Sequence, residues 1–186
     1  MNTSSSPCPH PSPPTPKNTT TGITCEYQSS CTLPTSPDKP KHRKVISHIF
    51  GRNKVSTRRI PQQAWIHYCR KHYQRVRYQT SSWPLLQCEL VLESLKRMEQ
   101  CGEIQEFEVT LRKREVERKM GGEVKGESPV PQWLADEVGK KSFAEVRQLV
   151  QRIRASLEAL LGTEKVSFPD IEILPIFGSD DGHEYE

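Results

Sequence analysis

The chain has 186 residues, a formal charge of +4, 33% hydrophobic residues and a mean hydropathy of −0.72. That length allows one modest domain plus tails, because single domains commonly run to about 100–150 residues. The N-terminus lacks a basic region followed by an apolar run, and no stretch approaches the roughly 20 apolar residues that span a bilayer, so neither secretion nor membrane insertion is expected.

Residues 1–43 read as a disordered tail. Most of the 15 prolines fall there among Ser, Thr and Asn, and such a composition buries too little apolar surface to offset its ordering entropy. Ser6, Ser12, Thr15 and Ser36, and further on Ser128, each precede a proline and are candidate phosphoacceptors. Without a signal peptide the six cysteines, Cys8, Cys25, Cys31, Cys69, Cys88 and Cys101, are expected as reduced thiols.

Charge is unevenly placed. Between Asp38 and Thr80 stand twelve Lys or Arg and four His against the single acid Asp38, whereas the rest of the chain is close to neutral or acidic. Within this segment Pro61 suits the first position of a helix. Trp65, Tyr68, Cys69, His72, Tyr73 and Val76 then recur at i, i+3, i+4 spacing, predicting one amphipathic helix over 61–78. Its other face carries His67, Arg70, Lys71, Gln74 and Arg75, with Arg77 at the margin.

A second helix is predicted from Ser82 or Trp83 to Gln100, with Gly102 placed to close it. Alternation of Phe107, Val109 and Leu111 with charged residues predicts a half-buried strand. Residues 112–130, rich in charge and glycine, read as a mobile connection or an exposed hairpin arm. A short helix opens at Pro131 and ends at Gly139. Ser142, with Glu145 three residues on, forms a capping box for a long helix to Leu161, whose stripe is Val146, Leu149, Val150, Ile153, Leu157, Leu160 and Leu161. Residues 166–177 are apolar but contain Pro169 and Pro175, which forbid a helix interior, so the segment is expected to lie extended across the core.

The loop ahead of residue 61 gives the basic segment its chemistry. Gly51 and Asn53 tolerate tight turns, Arg52, Lys54, Arg58 and Arg59 project cations, and Ser56 and Thr57 offer hydroxyls to phosphate oxygens. Loop and helix together predict a nucleic-acid footprint of Arg52, Asn53, Lys54, Arg58, Arg59, Arg70, Lys71, Gln74 and Arg75. An acidic protein partner is the alternative occupant, and Lys41-His-Arg-Lys44 also suits a nuclear import signal. Most aromatic rings of the segment lie on the core-facing stripe, leaving Tyr78 as the candidate stacking residue. His48, His67, Cys69, His72, Cys88 and Cys101 lie close in sequence, yet no CxxC or HxxxH pair is present, so no metal or other cofactor is expected. Absence of GxSxG, P-loop, HExxH and glycine-rich dinucleotide turns leaves no catalytic residue to name.

Three runs, His48-Ile-Phe-Gly-Arg-Asn-Lys54, Trp65-Ile-His-Tyr-Cys-Arg-Lys-His-Tyr-Gln-Arg75 and Phe168-Pro-Asp-Ile-Glu-Ile-Leu-Pro175, resemble a group of fungal proteins, some labelled ORP1-like. The resemblance spans roughly 44–176 and implies one domain over that region; it brings no activity, ligand or catalytic residue. The combined expectation is a mainly helical α+β domain over 44–177 with about four helices and one or two short strands, followed by an acidic tail at 178–186. Its expected work is non-enzymatic and nuclear, with the cytoplasm as the alternative location, and it has no membrane partner.

Overall fold

The computed structural model describes residues 23–27, 31, 42–79, 82–121, 128, 130–161 and 166–178. The phosphoacceptor candidates Ser6, Ser12, Thr15 and Ser36, Cys8, most of the expected N-terminal tail and residues 179–186 of the acidic tail lie outside the described residues. The class is α+β, with two small antiparallel sheets and six helices among the described residues, of which four helices reach seven residues or more. In chain order the elements are β1 (His42–Lys44), α1 (Val55–Arg59), a 3-10 turn (Gln62–Ala64), β2 (His67–Cys69), α2 (Arg70–Gln79), α3 (Trp83–Cys101), β3 (Ile104–Leu111), α4 (Lys113–Lys119), α5 (Gln132–Ala135), β4 (Gly139–Lys141), α6 (Phe143–Leu160) and β5 (Ile171–Phe177). No helix among the described residues is long and apolar enough to cross a membrane.

Helix α3 begins with Pro84 in its first turn and stops at Gly102, whose φ of +71° is the left-handed conformation that closes a helix. It buries Cys88, Val91, Leu95 and Met98 against α6. Helix α6 starts at the expected capping box, with Ser142 Oγ accepting from the Glu145 amide and the Glu145 carboxylate accepting from the Ser142 amide. Val146, Leu149, Val150, Ile153 and Leu157 are buried, but Leu160 and Leu161 are 45% and 40% exposed: the stripe runs a turn further than the surface that covers it.

The three-stranded sheet has the order β4-β3-β5, every pair antiparallel. Phe107 and Val109 of β3 point into the core while Glu106 and Glu108 are exposed, the period-2 pattern read from sequence. The last segment is extended, as expected, and pairs with β3 so that Phe107 lies opposite Pro175. A proline fits here because β5 is an edge strand. The Ile173 amide, two residues earlier and on the same side, turns away from β3 to donate to Ile49 O at 2.8 Å. The missing N–H of Pro175 therefore falls outside the ladder.

Three expectations are corrected. The helix expected over 61–78 is broken into the 3-10 turn, β2 and α2. Residues 65–69 are all buried and are rich in strand formers, so they satisfy a helical spacing without having a polar face. With β1 alongside, pairing His42 opposite Cys69 and Lys44 opposite His67, the strand wins. Among the described residues the sheets hold five strands rather than one or two, because β1, β2 and β4 are three-residue pieces too short to show a period. The expected mobile connection over 112–130 contains α4. Its Glu115 is buried and accepts from Arg118 and Ser128, an inward-facing carboxylate that a charge-rich composition disguises; residues 122–127 lie outside the described set.

Candidate nucleic-acid interface and a thiol–imidazole cluster

The loop from Val45 to Lys54 is a compact pair of turns. Ile46, Ile49 and Phe50 are fully buried, and Phe50 meets the Trp65 ring edge-on at 5.7 Å. Gly51 makes the sharp bend at φ +66°, and a Cβ there would lie 2.5 Å from Leu174 Cδ2, so both conformation and space require glycine. The Lys54 amide closes the turn onto Gly51 O at 2.8 Å. Arg52 Nε donates to Ser47 Oγ, itself bonded to Lys44 O, which holds the guanidinium over the loop. Thr57, expected to offer its hydroxyl to phosphate, is instead buried and donates to Phe50 O.

All nine predicted footprint residues are exposed: Arg52, Asn53 and Lys54 on the loop, Arg58 and Arg59 on α1, and Arg70, Lys71, Gln74 and Arg75 on α2. They do not all converge. Arg52, Asn53 and Lys54 line an open cleft of about 890 Å³ together with Arg77 of α2 and Arg112 and Lys113 from the junction of β3 and α4. Glu172 is the one carboxylate on that wall among the described residues. Arg58 and Arg59 stay outside it, since α1 packs on β5 and the Arg59 guanidinium sits 4.3 Å over the Phe177 ring. Arg70, Lys71, Gln74 and Arg75 share the outward arc of α2. At 100° per residue Arg77 lies at the edge of that arc beside Tyr73, and both Tyr73 and Arg77 reach the cleft, so Arg77 links the helix face to the loop.

Arg77, placed at the margin from sequence, thus turns out to be the hinge of the surface, and Arg112 and Lys113 were missed altogether. Their cationic character is plain in the sequence, but the register that carries the end of β3 back to residues 48–54 is not. Arg112 Nη2 donates to His48 O at 2.7 Å and pairs with Asp170 at 3.8 Å.

His48 reports on this convergence. Burial, together with Arg112, Arg52 and Arg77, pushes its pKa from 6.5 down to about 4. Gln87 Nε2 lies 3.1 Å from His48 Nε2; an amide nitrogen only donates, so that ring nitrogen accepts and the imidazole is neutral. The aromatic expectations hold: Trp65, Tyr68 and Tyr73 are buried, while Tyr78 is exposed beside the Arg77 guanidinium at 5.3 Å. Lys44 lies 4.8 Å from the Trp65 ring centre, and burial lowers its pKa.

The pairing of charges divides the molecule. Among the described residues, no carboxylate lies within ion-pair distance of Arg43, Arg52, Lys54, Arg58, Arg70, Lys71, Arg75 or Arg77. Every arginine after residue 80 has one: Arg97, Arg112, Arg114, Arg118, Arg147, Arg152 and Arg154.

A second constellation lies at the start of α2. Cys25 and Cys31, expected in the disordered tail, approach Cys69 and His72, and the four ligand atoms lie within 4.8 Å of one another. Cys31 Sγ is 3.9 Å from Cys69 Sγ, and Cys25 Sγ is 3.3 Å from His72 Nδ1. Two backbone amides point at sulfur, Cys69 N to Cys25 Sγ at 3.2 Å and His72 N to Cys69 Sγ at 3.4 Å. The Tyr27 ring lies 4.7 Å from the His72 ring and meets Tyr68 edge-on. Glu26 anchors the incoming segment: its amide donates to His67 O, and its carboxylate accepts from the His67 amide and from Arg97.

The other residues weighed as metal ligands are elsewhere. His48 lies on the cleft wall, and His67 Nε2 accepts from Gln62 at 2.9 Å. Cys88 is in the core, where burial pushes its thiol up to about 12. Cys101 faces Gln63. Sequence reasoning found Cys69 and His72 but not their partners, because Cys25 and Cys31 stand about 40 residues upstream in a region of tail-like composition. Comparison with family models, with curated proteins and with solved structures finds no match to this chain.

Proposed function

We propose that the protein is a non-enzymatic nucleic-acid-binding module that grips the phosphate backbone with the 51–54 loop and the outward face of α2. The observation that carries this reading is the run of unpaired cations: an exposed arginine without a carboxylate partner is a ready counterion for phosphate. A cleft that gathers Arg52, Lys54 and Arg77 around a neutral His48 offers several such contacts at once. Such contacts fix position on a polyanion without reading its sequence. Within the footprint, Gln74 and Asn53 are the exposed amides able to read base edges. The proposal includes the transcriptional or chromatin role and the nuclear location that a DNA or RNA target implies.

The test is fluorescence anisotropy of a short labelled duplex of random sequence, and of its single strands, titrated with the full chain at low salt. The expected outcome is saturable binding that an excess of poly-glutamate displaces poorly. Binding to poly-glutamate with no binding to either nucleic acid would overturn the reading and transfer the surface to an acidic protein partner.

A further inference from the structure

The geometry points to a structural zinc site formed by Cys25, Cys31, Cys69 and His72, a site independent of the nucleic-acid reading. A zinc ion bound tetrahedrally by thiolate at about 2.3 Å and imidazole at about 2.0–2.1 Å places neighbouring sulfurs about 3.8 Å apart and sulfur about 3.5 Å from nitrogen. The separations here are 3.9 Å for Cys31 to Cys69 and 3.3 Å for Cys25 to His72 Nδ1. Two thiols joined in a disulfide would stand at about 2.05 Å, so the Cys31–Cys69 pair has ion-sharing rather than bond-forming separation. Three thiolates and one imidazole are a closed ligand set with no position left for substrate, which marks a structural rather than a catalytic metal. Soft sulfur ligands in tetrahedral array select zinc over the hard cations.

Backbone groups around the site supply outer-shell support as well. Cys25 and Cys69 are buried, and each sulfur accepts a backbone N–H, the outer-shell support that orients and stabilises such ligands. Cys69 directly precedes α2, a helix of ten residues, and His72 sits in its first turn, so the positive end of the helix faces the cluster. On binding, each of the three thiols releases a proton to solvent and the imidazole enters neutral, giving a centre of net charge −1. The ion would join Cys25 and Cys31 to the β1–β2–α2 unit, beside the ties that Glu26 makes to His67 and Arg97. Because Arg70 and Lys71 lie between the ligands Cys69 and His72 at the start of α2, the ion would also set the direction of the basic helix face.

The test is metal analysis of the full chain purified without a histidine tag, followed by cobalt(II) substitution. The expected result is one zinc per chain after dialysis and, with cobalt, the intense visible bands of a tetrahedral site plus a thiolate charge-transfer band. Cys25→Ser and Cys31→Ser should each lower the zinc content at least tenfold, whereas Cys88→Ser, Cys101→Ser and His42→Ala should keep it. Because losing a ligand risks unfolding the chain, His72→Cys provides a second variant: it should keep one metal per chain and shift the cobalt bands as a fourth sulfur replaces nitrogen. Wild-type protein that carries no zinc and gives only weak cobalt absorbance would overturn the inference. So would full zinc retention in Cys25→Ser, or loss of zinc in His42→Ala with the fold intact.

Discussion

Residues 42–79 and residues 82–178 each contain seven arginines and use them in opposite ways. In the second region each guanidinium faces a carboxylate, as Arg147 does Glu99 and Arg154 does Glu89 and Glu158. In the first, Arg43, Arg52, Arg58, Arg70, Arg75 and Arg77 have no such partner among the described residues, because residues 39–80 contain no acid. Surface ion pairs contribute only about 0–1 kcal/mol each, so the contrast says little about what holds the fold together. It says where charge is committed within the molecule and where it remains available to a ligand.

The largest expected effect of a single change lies in the paired region. Arg118→Met leaves the buried carboxylate of Glu115, 1% exposed, without its cation, and should cost about 3 kcal/mol in urea denaturation with no change in nucleic-acid affinity. A comparable effect in the unpaired region should appear in binding alone. Arg52→Ala, Lys54→Ala and Arg77→Ala combined should weaken duplex binding about 30-fold, or about 2 kcal/mol, while moving stability by less than about 0.5 kcal/mol. The matched triple Arg147→Ala, Arg152→Ala and Arg154→Ala should leave affinity within about twofold; an equal loss in both triples would erase the distinction.

His48 adds a pH dependence. Its folded pKa of about 4 lies below the ordinary 6.5, so the unfolded chain takes up the proton first. Its contribution to stability is complete above pH 6.5 and is lost as pH falls toward 4. Denaturation midpoints should show His48→Gln losing about 2 kcal/mol less than the wild type between neutral pH and pH 4.5. The smallest effect concerns the fold only: Ser142→Ala removes the capping box and should cost about 1 kcal/mol with no change in binding.

Elements with a complete local signature were legible in the sequence. Helices α3 and α6 each have a cap, an apolar stripe and a stop within one window, and β3 has a clean alternation. What was hidden depended on distant partners. Residues 67–69 become a strand because β1 lies beside them, and Cys25 leaves a tail-like composition because Cys69 and His72 face it. The cleft shows the same division: Arg52 and Lys54 follow from the turn at Gly51, but Arg112 joins them only through the β3–β5 pairing that sets Asp170 and His48 beside it. Composition measures the average burial of a stretch, so it overlooks a segment that docks through one or two side chains.

The salt dependence of duplex affinity, compared between wild type and the Arg52/Lys54/Arg77 triple alanine variant, tests the central claim most directly. Each phosphate contact contributes about −0.9 to the slope of log affinity against log salt on B-form DNA. The unpaired surface predicts a wild-type slope of about −4 or steeper, reduced in magnitude by about 3 in the variant. A slope near zero, or one that the triple substitution leaves unchanged, would contradict the assignment of that surface to phosphate.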